Sequence, residues 1–278
     1  MANITAADVN KLRQQTGVGM MDCKTALVEA EGDFEKAIDI LRKKGQKLAV
    51  KRAERNANEG IVIARTTPDK IFGAIIMLNC ETDFVAKNQE FIDFANKVLD
   101  IALEKKTTSL DELNTLSING RSIAEGVTDL IGKTGEKMEL SHYESISSAK
   151  VYAYNHQGNR LATLLGLNHT SSAEIDQIGH EVTMQIAAMN PVAIDKNDVP
   201  KDIIDREIEV GKDQAREEGK PEEMLEKIAL GKLNKFYKEN TLLNQEFIRD
   251  NKLTVGEYLA KADKDLKVNS FYRLMLGA

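Results

Sequence analysis

One pattern occurs twice in this chain, and it limits the possible folds more than any single segment does. In the first copy, Ile61-Val62-Ile63-Ala64 and the run Lys70 through Leu78 are rich in β-branched residues and flank Thr67-Pro68-Asp69. Two such runs around a turn signal predict a hairpin. The period then changes. Phe91, Phe94, Ala95, Val98 and Leu99 fall on one side of a helix expected from about Gln89 to Leu103, with Asn88 as its N-cap. In the second copy, Val151-Tyr152-Ala153-Tyr154 and Leu161 through Leu167 flank the turn Asn155-His156-Gln157-Gly158-Asn159. A helix follows, capped by Ser171-Ser172-Ala173-Glu174, reaching Met189 and ended by Asn190-Pro191. The copies align at Leu78-Asn79 and Leu167-Asn168. Paired strands followed by helices, repeated, make an α+β core of two related hairpin-plus-helix subdomains.

The flanking segments read differently. Residues 1–45 form three short helices. Thr5-Ala6-Ala7-Asp8 starts the first, whose apolar side holds Val9 and Leu12, and Gly17-Val18-Gly19 breaks it. The second runs from Met20 to about Ala30. Asp33 caps the third, with Phe34, Ala37, Ile38 and Leu41 inward and Gly45 as its expected end. Gln46 to Asn58 reads as a partly helical linker whose cations form a solvated face. A further helical segment is expected from about Leu110 to Ile131. Between 200 and 239, Ile204, Ile208, Gly211 and Ala215 form a thin apolar seam. Glu218-Gly219-Lys220-Pro221 turns the chain, and Leu225, Ile228, Ala229, Leu233 and Phe236 return along a second helix. Charged outer faces on both helices predict a protruding antiparallel coiled-coil hairpin. Leu242 to Leu259 rejoins the core, and Phe271 to Leu276 forms an apolar C-terminal module or strand.

Composition removes several function classes. A net charge of −6 argues against a general basic field for nucleic acid, and a 5% aromatic content without Trp argues against base stacking. Cys23 and Cys80 sit in no metal spacing and read as free thiols of a reducing compartment. No apolar run approaches membrane-spanning length, and Met1-Ala2-Asn3-Ile4-Thr5 does not resemble a signal or transit peptide, so the chain reads as cytoplasmic. Gly132-Lys133-Thr134 misses the phosphate-loop spacing, because five residues separate Gly126 from Gly132 where four are required. Neither the four histidines nor Asp195-Lys196-Asn197-Asp198 forms a metal or calcium pattern. No catalytic residue, metal or cofactor is expected. The chain reads as a binder.

The connection after the first hairpin stands out. In Cys80-Glu81-Thr82-Asp83-Phe84-Val85-Ala86-Lys87-Asn88, an aromatic lies beside a carboxylate in a surface connection. On residue type alone, Phe84 would fold back into its own core. The second copy argues against this, since its equivalent stretch continues to His169-Thr170 without a Phe. Met20 and Met21 point about 100° apart on a helix, so at most one of them should be buried. The other suits an adaptable contact surface beside the glycine-rich turn.

Thr82-Asp83-Phe84-Val85 matches the TDFV signature of the elongation factor Ts family. Leu12-Arg13 and Thr16 through Leu27, containing Gly17-Val18-Gly19-Met20-Met21-Asp22-Cys23-Lys24, closely resemble its N-terminal signature. The resemblance implies a ubiquitin-associated-like (UBA-like) N-terminal module over 1–54. It further implies a core N-subdomain over 55–140, a core C-subdomain beginning at 141–199 and returning at 240–262, the inserted hairpin at 200–239, and a C-terminal module at 263–278. It implies a guanine-nucleotide exchange factor that opens GDP-bound elongation factor Tu, with no direct nucleic-acid or membrane partner. Thr82, Asp83, Phe84 and Val85 would then act at the GTPase's Mg²⁺ site. Leu12, Met20, Met21 and Lys24 would touch the GTPase from the N-terminal module, and His156 coincides with a further family contact position. Read from the residues, the alternative is an adaptor that recruits a partner through the N-terminal module without exchange activity.

Overall fold

The computed structural model describes residues 4–169 and 173–277. Three helices open the chain: α1 (Ala6–Thr16), α2 (Met20–Glu29) and α3 (Phe34–Arg52). A reciprocal capping box between Thr5 and Asp8 starts α1, and Gly17 ends it in the left-handed conformation at φ 71°. Val9, Leu12, Val18, Cys23, Ala26, Leu27, Ala30, Ala37 and Leu41 form the buried core of this module.

Gly45 does not end the third helix. The helix continues to Arg52, so most of the expected linker is helical. Gly45 serves packing instead. A Cβ there would lie 3.3 Å from the Thr128 carbonyl oxygen and 3.5 Å from the Gly132 Cα, so the absence of a side chain lets two helix backbones approach.

The first core sheet follows. Strand β1 (Glu59–Thr66) pairs antiparallel with β2 (Phe72–Cys80), completing the expected hairpin. A single helical turn, α4 (Asp83–Ala86), leads into α5 (Gln89–Lys105), whose N-terminus the Asn88 side chain caps by accepting from Glu90 N–H at 2.8 Å. The expected second helix is split in two, α6 (Leu110–Thr115) and α7 (Ile123–Thr134). Between them β3 (Ser117–Ile118) and β4 (Arg121–Ser122) turn at Asn119-Gly120. Both turn residues have positive φ, 53° and 78°, which is the preference of an Asn-Gly hairpin. Strand β5 (Met138–Ser147) then returns to pair with β2, giving the order β1-β2-β5.

The second unit repeats this plan. β6 (Lys150–Asn155) and β7 (Leu161–Leu167) form the hairpin, and α8 (Ile175–Met189) packs on it. The expected cap at Ser171-Ser172 lies outside the described residues. α9 (Lys201–Glu217) and α10 (Glu222–Asn240) form the antiparallel hairpin, meeting where a Cβ on Gly211 would lie 3.1 Å from the Ala229 Cα. Then come β8 (Glu246–Phe247), β9 (Asp250–Thr254) and α11 (Val255–Ala262). The apolar C-terminal stretch is strand β10 (Val268–Met275), which pairs with β7 and closes the order β10-β7-β6. Each core unit is therefore a hairpin, helices, a miniature hairpin, a capped helix and a return strand.

The two sheets meet through Val62, Ala64, Ile75 and Met77 on one side and Val151, Ala162 and Leu164 on the other. At the edge of β1 the second unit's turn supplies hydrogen bonds. Val62 N–H donates to the Asn159 carbonyl at 2.7 Å, and Ala64 N–H donates to Asn155 Oδ1 at 2.7 Å. Exposed strand edges otherwise leave such groups unpaired. This pairing brings the 155–160 turn beside the exit of the first hairpin.

Candidate partner-contact site

The first hairpin ends at Cys80, and the chain turns at Thr82. Every polar atom of Thr82 is engaged. Its N–H and Oγ1–H both donate to the Glu136 carboxylate, at 3.1 and 2.7 Å. Its Oγ1 accepts from Val85 N–H at 3.4 Å, and its carbonyl accepts from Ala86 N–H and the Cys80 thiol, both at 3.2 Å. Thr82 is thus the N-cap of α4. Inside this turn, Val85 and Ala86 pack against the first core. Phe84 points the other way and is 83% exposed, the highest value among the exposed large apolar residues. A Phe kept out of the core forgoes roughly 1.5–3 kcal/mol of burial. The turn therefore presents the ring to solvent rather than to its own core.

Asp83, beside it, accepts from Lys87 Nζ at 2.6 Å. This hydrogen bond, reinforced by the ammonium charge, holds the Asp83 carboxyl below the ordinary carboxylate range. Cys80 behaves in the opposite way. Burial, and next the Glu136 charge, push its thiol up to about 12, so it is an inert internal donor. Asp83, Ala86 and Lys87 form one wall of a shallow groove, and Glu59, Gly158, Asn159 and Arg160 form another. His156 lies exposed in the turn leading to that second wall, its Nδ1 2.8 Å from the Tyr154 hydroxyl. Arg160 pairs with Glu59 across the two units.

The N-terminal module carries a second apolar surface. Met20 and Met21 are both exposed, at 54% and 72%, and Lys24 beside them is exposed too. Leu12 corrects its expected contact role. It is 0% exposed and sits in the module's core, because α1 has only Val9 and Leu12 to bury. In the free chain it lies beneath the surface that Met20 and Met21 present. The Gly17 turn lies against the Lys133 side chain, and Lys133 in turn pairs with Glu90 just after the Asn88 cap. One ion pair therefore separates the turn before Met20 from the helix after Phe84. The residues that sequence reasoning missed are Glu136, which holds the Thr82 turn, and Glu81, which holds the Lys137 backbone in return. A glutamate after the end of a helix or a strand carries no signal of its own.

Among the described residues, no cluster of three or more His, Cys, Asp or Glu side chains could hold a metal ion. Likewise, no described helix is long and apolar enough to cross a membrane.

A family model described as Elongation factor TS matches residues 81–278. The chain is 50% identical over 275 residues to an elongation factor Ts of Amoebophilus asiaticus, covering 99% of both chains. It is also 50% identical over 277 residues to that of Christiangramia forsetii, covering all of both. Against the Bacteroides thetaiotaomicron protein of the same name, identity is 40% over 332 aligned positions, covering 99% of both. This chain belongs to the elongation factor Ts family and is a translation elongation factor.

Proposed function

We propose that this chain is the guanine-nucleotide exchange factor of elongation factor Tu, and that Phe84 is the wedge that opens the GTPase. A GTPase holds its nucleotide through a phosphate-binding loop and a Mg²⁺ bridging the phosphates. A partner speeds nucleotide release only by binding the nucleotide-free form better than the loaded one, and the weakening is reciprocal. In this reading Phe84 enters an apolar slot near the Mg²⁺ site, and Asp83 positions the turn through Lys87. Thr82 and Val85 set the turn's exit angles. The supporting observation is the outward ring on a turn whose N-cap, Thr82, has every polar atom engaged.

Magnitudes require more than one contact. Burying a Phe contributes roughly 1.5–3 kcal/mol, whereas driving a two-state equilibrium from one extreme to the other takes about 5.5 kcal/mol. Met20, Met21 and Lys24 supply a second patch, and His156 with its groove supplies a third. Stopped-flow release of fluorescent GDP from elongation factor Tu tests the reading. Substoichiometric amounts of this chain should accelerate release, and an unchanged rate at saturating chain would refute it. Deleting residues 1–54 separates the adaptor alternative. An exchange factor keeps its capacity at high concentration, whereas an adaptor loses all function.

A further inference from the structure

We propose that Glu136 is a positioning residue for exchange: its carboxylate sets the direction in which Phe84 points, a role that rests on the exchange reading above. Two adjacent connections trade carboxylates for backbone amides. Glu136, which precedes β5, accepts from Thr82 N–H and Oγ1–H at 3.1 and 2.7 Å. Glu81, which follows β2, accepts from Lys137 N–H at 2.6 Å. Each connection therefore fixes the other's backbone, and the bonds are charge-assisted, the stronger kind.

The pair also reaches the N-terminal module. The Glu81 carboxylate accepts from Arg55 at 3.0 Å and lies 3.7 Å from Arg52, the last residue of α3. Lys137 Nζ donates to the Ala53 carbonyl at 2.9 Å. The module bearing Met20 and Met21 and the turn bearing Phe84 are thus tied here as well as through the Lys133–Glu90 pair. A wedge transmits force only if its base is fixed relative to the surface that anchors the rest of the molecule. Without Glu136, Thr82 loses both bonds from this clamp, and the one-turn helix above it can swing. The ring would remain present and exposed but would no longer be aimed.

This predicts an effect on rate rather than on affinity. In GDP release from elongation factor Tu, Glu136→Ala should lower the maximal release rate by about tenfold while moving the half-maximal concentration less than about twofold. Glu136→Gln keeps one acceptor for Thr82 N–H and should recover most of the rate. Phe84→Ala and Glu136→Ala combined should be no slower than Phe84→Ala alone, since the clamp acts through the ring. Multiplicative losses, or a shift confined to the half-maximal concentration, would overturn the proposal. Amide hydrogen exchange of the free chain supplies a separate arm. Protection at residues 82–87 should fall about tenfold in Glu136→Ala, with the sheets unchanged. If the wild-type chain itself fails to release GDP, the exchange reading and the rate role of Glu136 fall together. If protection at 82–87 is unchanged in Glu136→Ala while wild-type exchange is intact, the clamp alone is refuted.

Discussion

Leu12 and the two methionines lie in one small module and should respond to substitution in opposite ways. Leu12 is fully buried among nine core residues, whereas Met20 and Met21 project from the surface. Truncating a buried Leu to Ala removes its transfer energy and leaves a cavity, at about 2.7–5.0 kcal/mol. Typical stabilities of about 0.05–0.15 kcal/mol per residue give a module of about fifty residues only about 2.5–7.5 kcal/mol. Leu12→Ala therefore removes at least about a third, and up to all, of what holds α1 and α2 in place, while the sheets have separate cores. Met20→Ala and Met21→Ala change exposed positions and should stay within about 0.5 kcal/mol. Hydrogen exchange followed by mass spectrometry separates the two cases. Protection across residues 6–29 should fall at least about a hundredfold in Leu12→Ala, since each 1.36 kcal/mol is tenfold. Strands β2 and β7 should keep theirs. The methionine variants should show unchanged protection and weakened association with the GTPase. If Leu12→Ala left residues 6–29 protected and weakened only association, Leu12 would be a contact residue after all, and the packing argument would fail.

Three further outcomes follow from the site and the hairpin. Cys80, with its thiol pushed up to about 12 by burial and the nearby Glu136, should resist alkylation at pH 8 in the folded chain and react once guanidinium unfolds it; stoichiometric labelling at Cys80 of the native chain, located by peptide mapping, would contradict this. The folded carboxyl of Asp83 titrates below its ordinary 3.8, so the Asp83–Lys87 contact is fully formed above the unfolded value and is lost as pH falls through the folded one. An NMR titration should place its midpoint below 3.8 and show it rising in Lys87→Ala, with no change near neutral pH. Gly211→Leu should force α9 and α10 apart, because even a Cβ there would lie 3.1 Å from the Ala229 Cα. Overpacking of this kind costs about 1–3 kcal/mol, and it should appear as lost amide protection in the hairpin with both sheets intact.

Much of the fold was legible in the residues. The hairpins, the Asn88 cap, the capping box at Thr5 and the thin seam of α9 and α10 all rest on local chemistry, and local chemistry decided them. What escaped was set by tertiary contacts. Strand β5 loses its alternation because its register with β2 shifts between Met77 and Leu78. A bulge moves later side chains to the other face, so a period-two search loses the strand. Gly45 looks like a helix stop in sequence, but its role depends on the helix packed against it, which only the fold supplies. Asn119-Gly120 is a turn signal in itself, but it stands within a segment, Leu110 to Ile131, whose apolar spacing is helical on both sides. At the site, the outward Phe84 could be anticipated by comparing the two repeats. The Glu136 support could not, since it comes from 54 residues away.

Phe84 acts during opening of the GTPase, in the proposed mechanism, rather than merely adding affinity. The direct measurement compares Phe84→Ala with wild type in two quantities, GDP release from elongation factor Tu at saturating factor and the dissociation constant for the nucleotide-free GTPase. The account predicts that the release rate falls by a larger factor than the affinity does. Equal losses in both would make the ring an anchor and nothing more, contradicting the wedge.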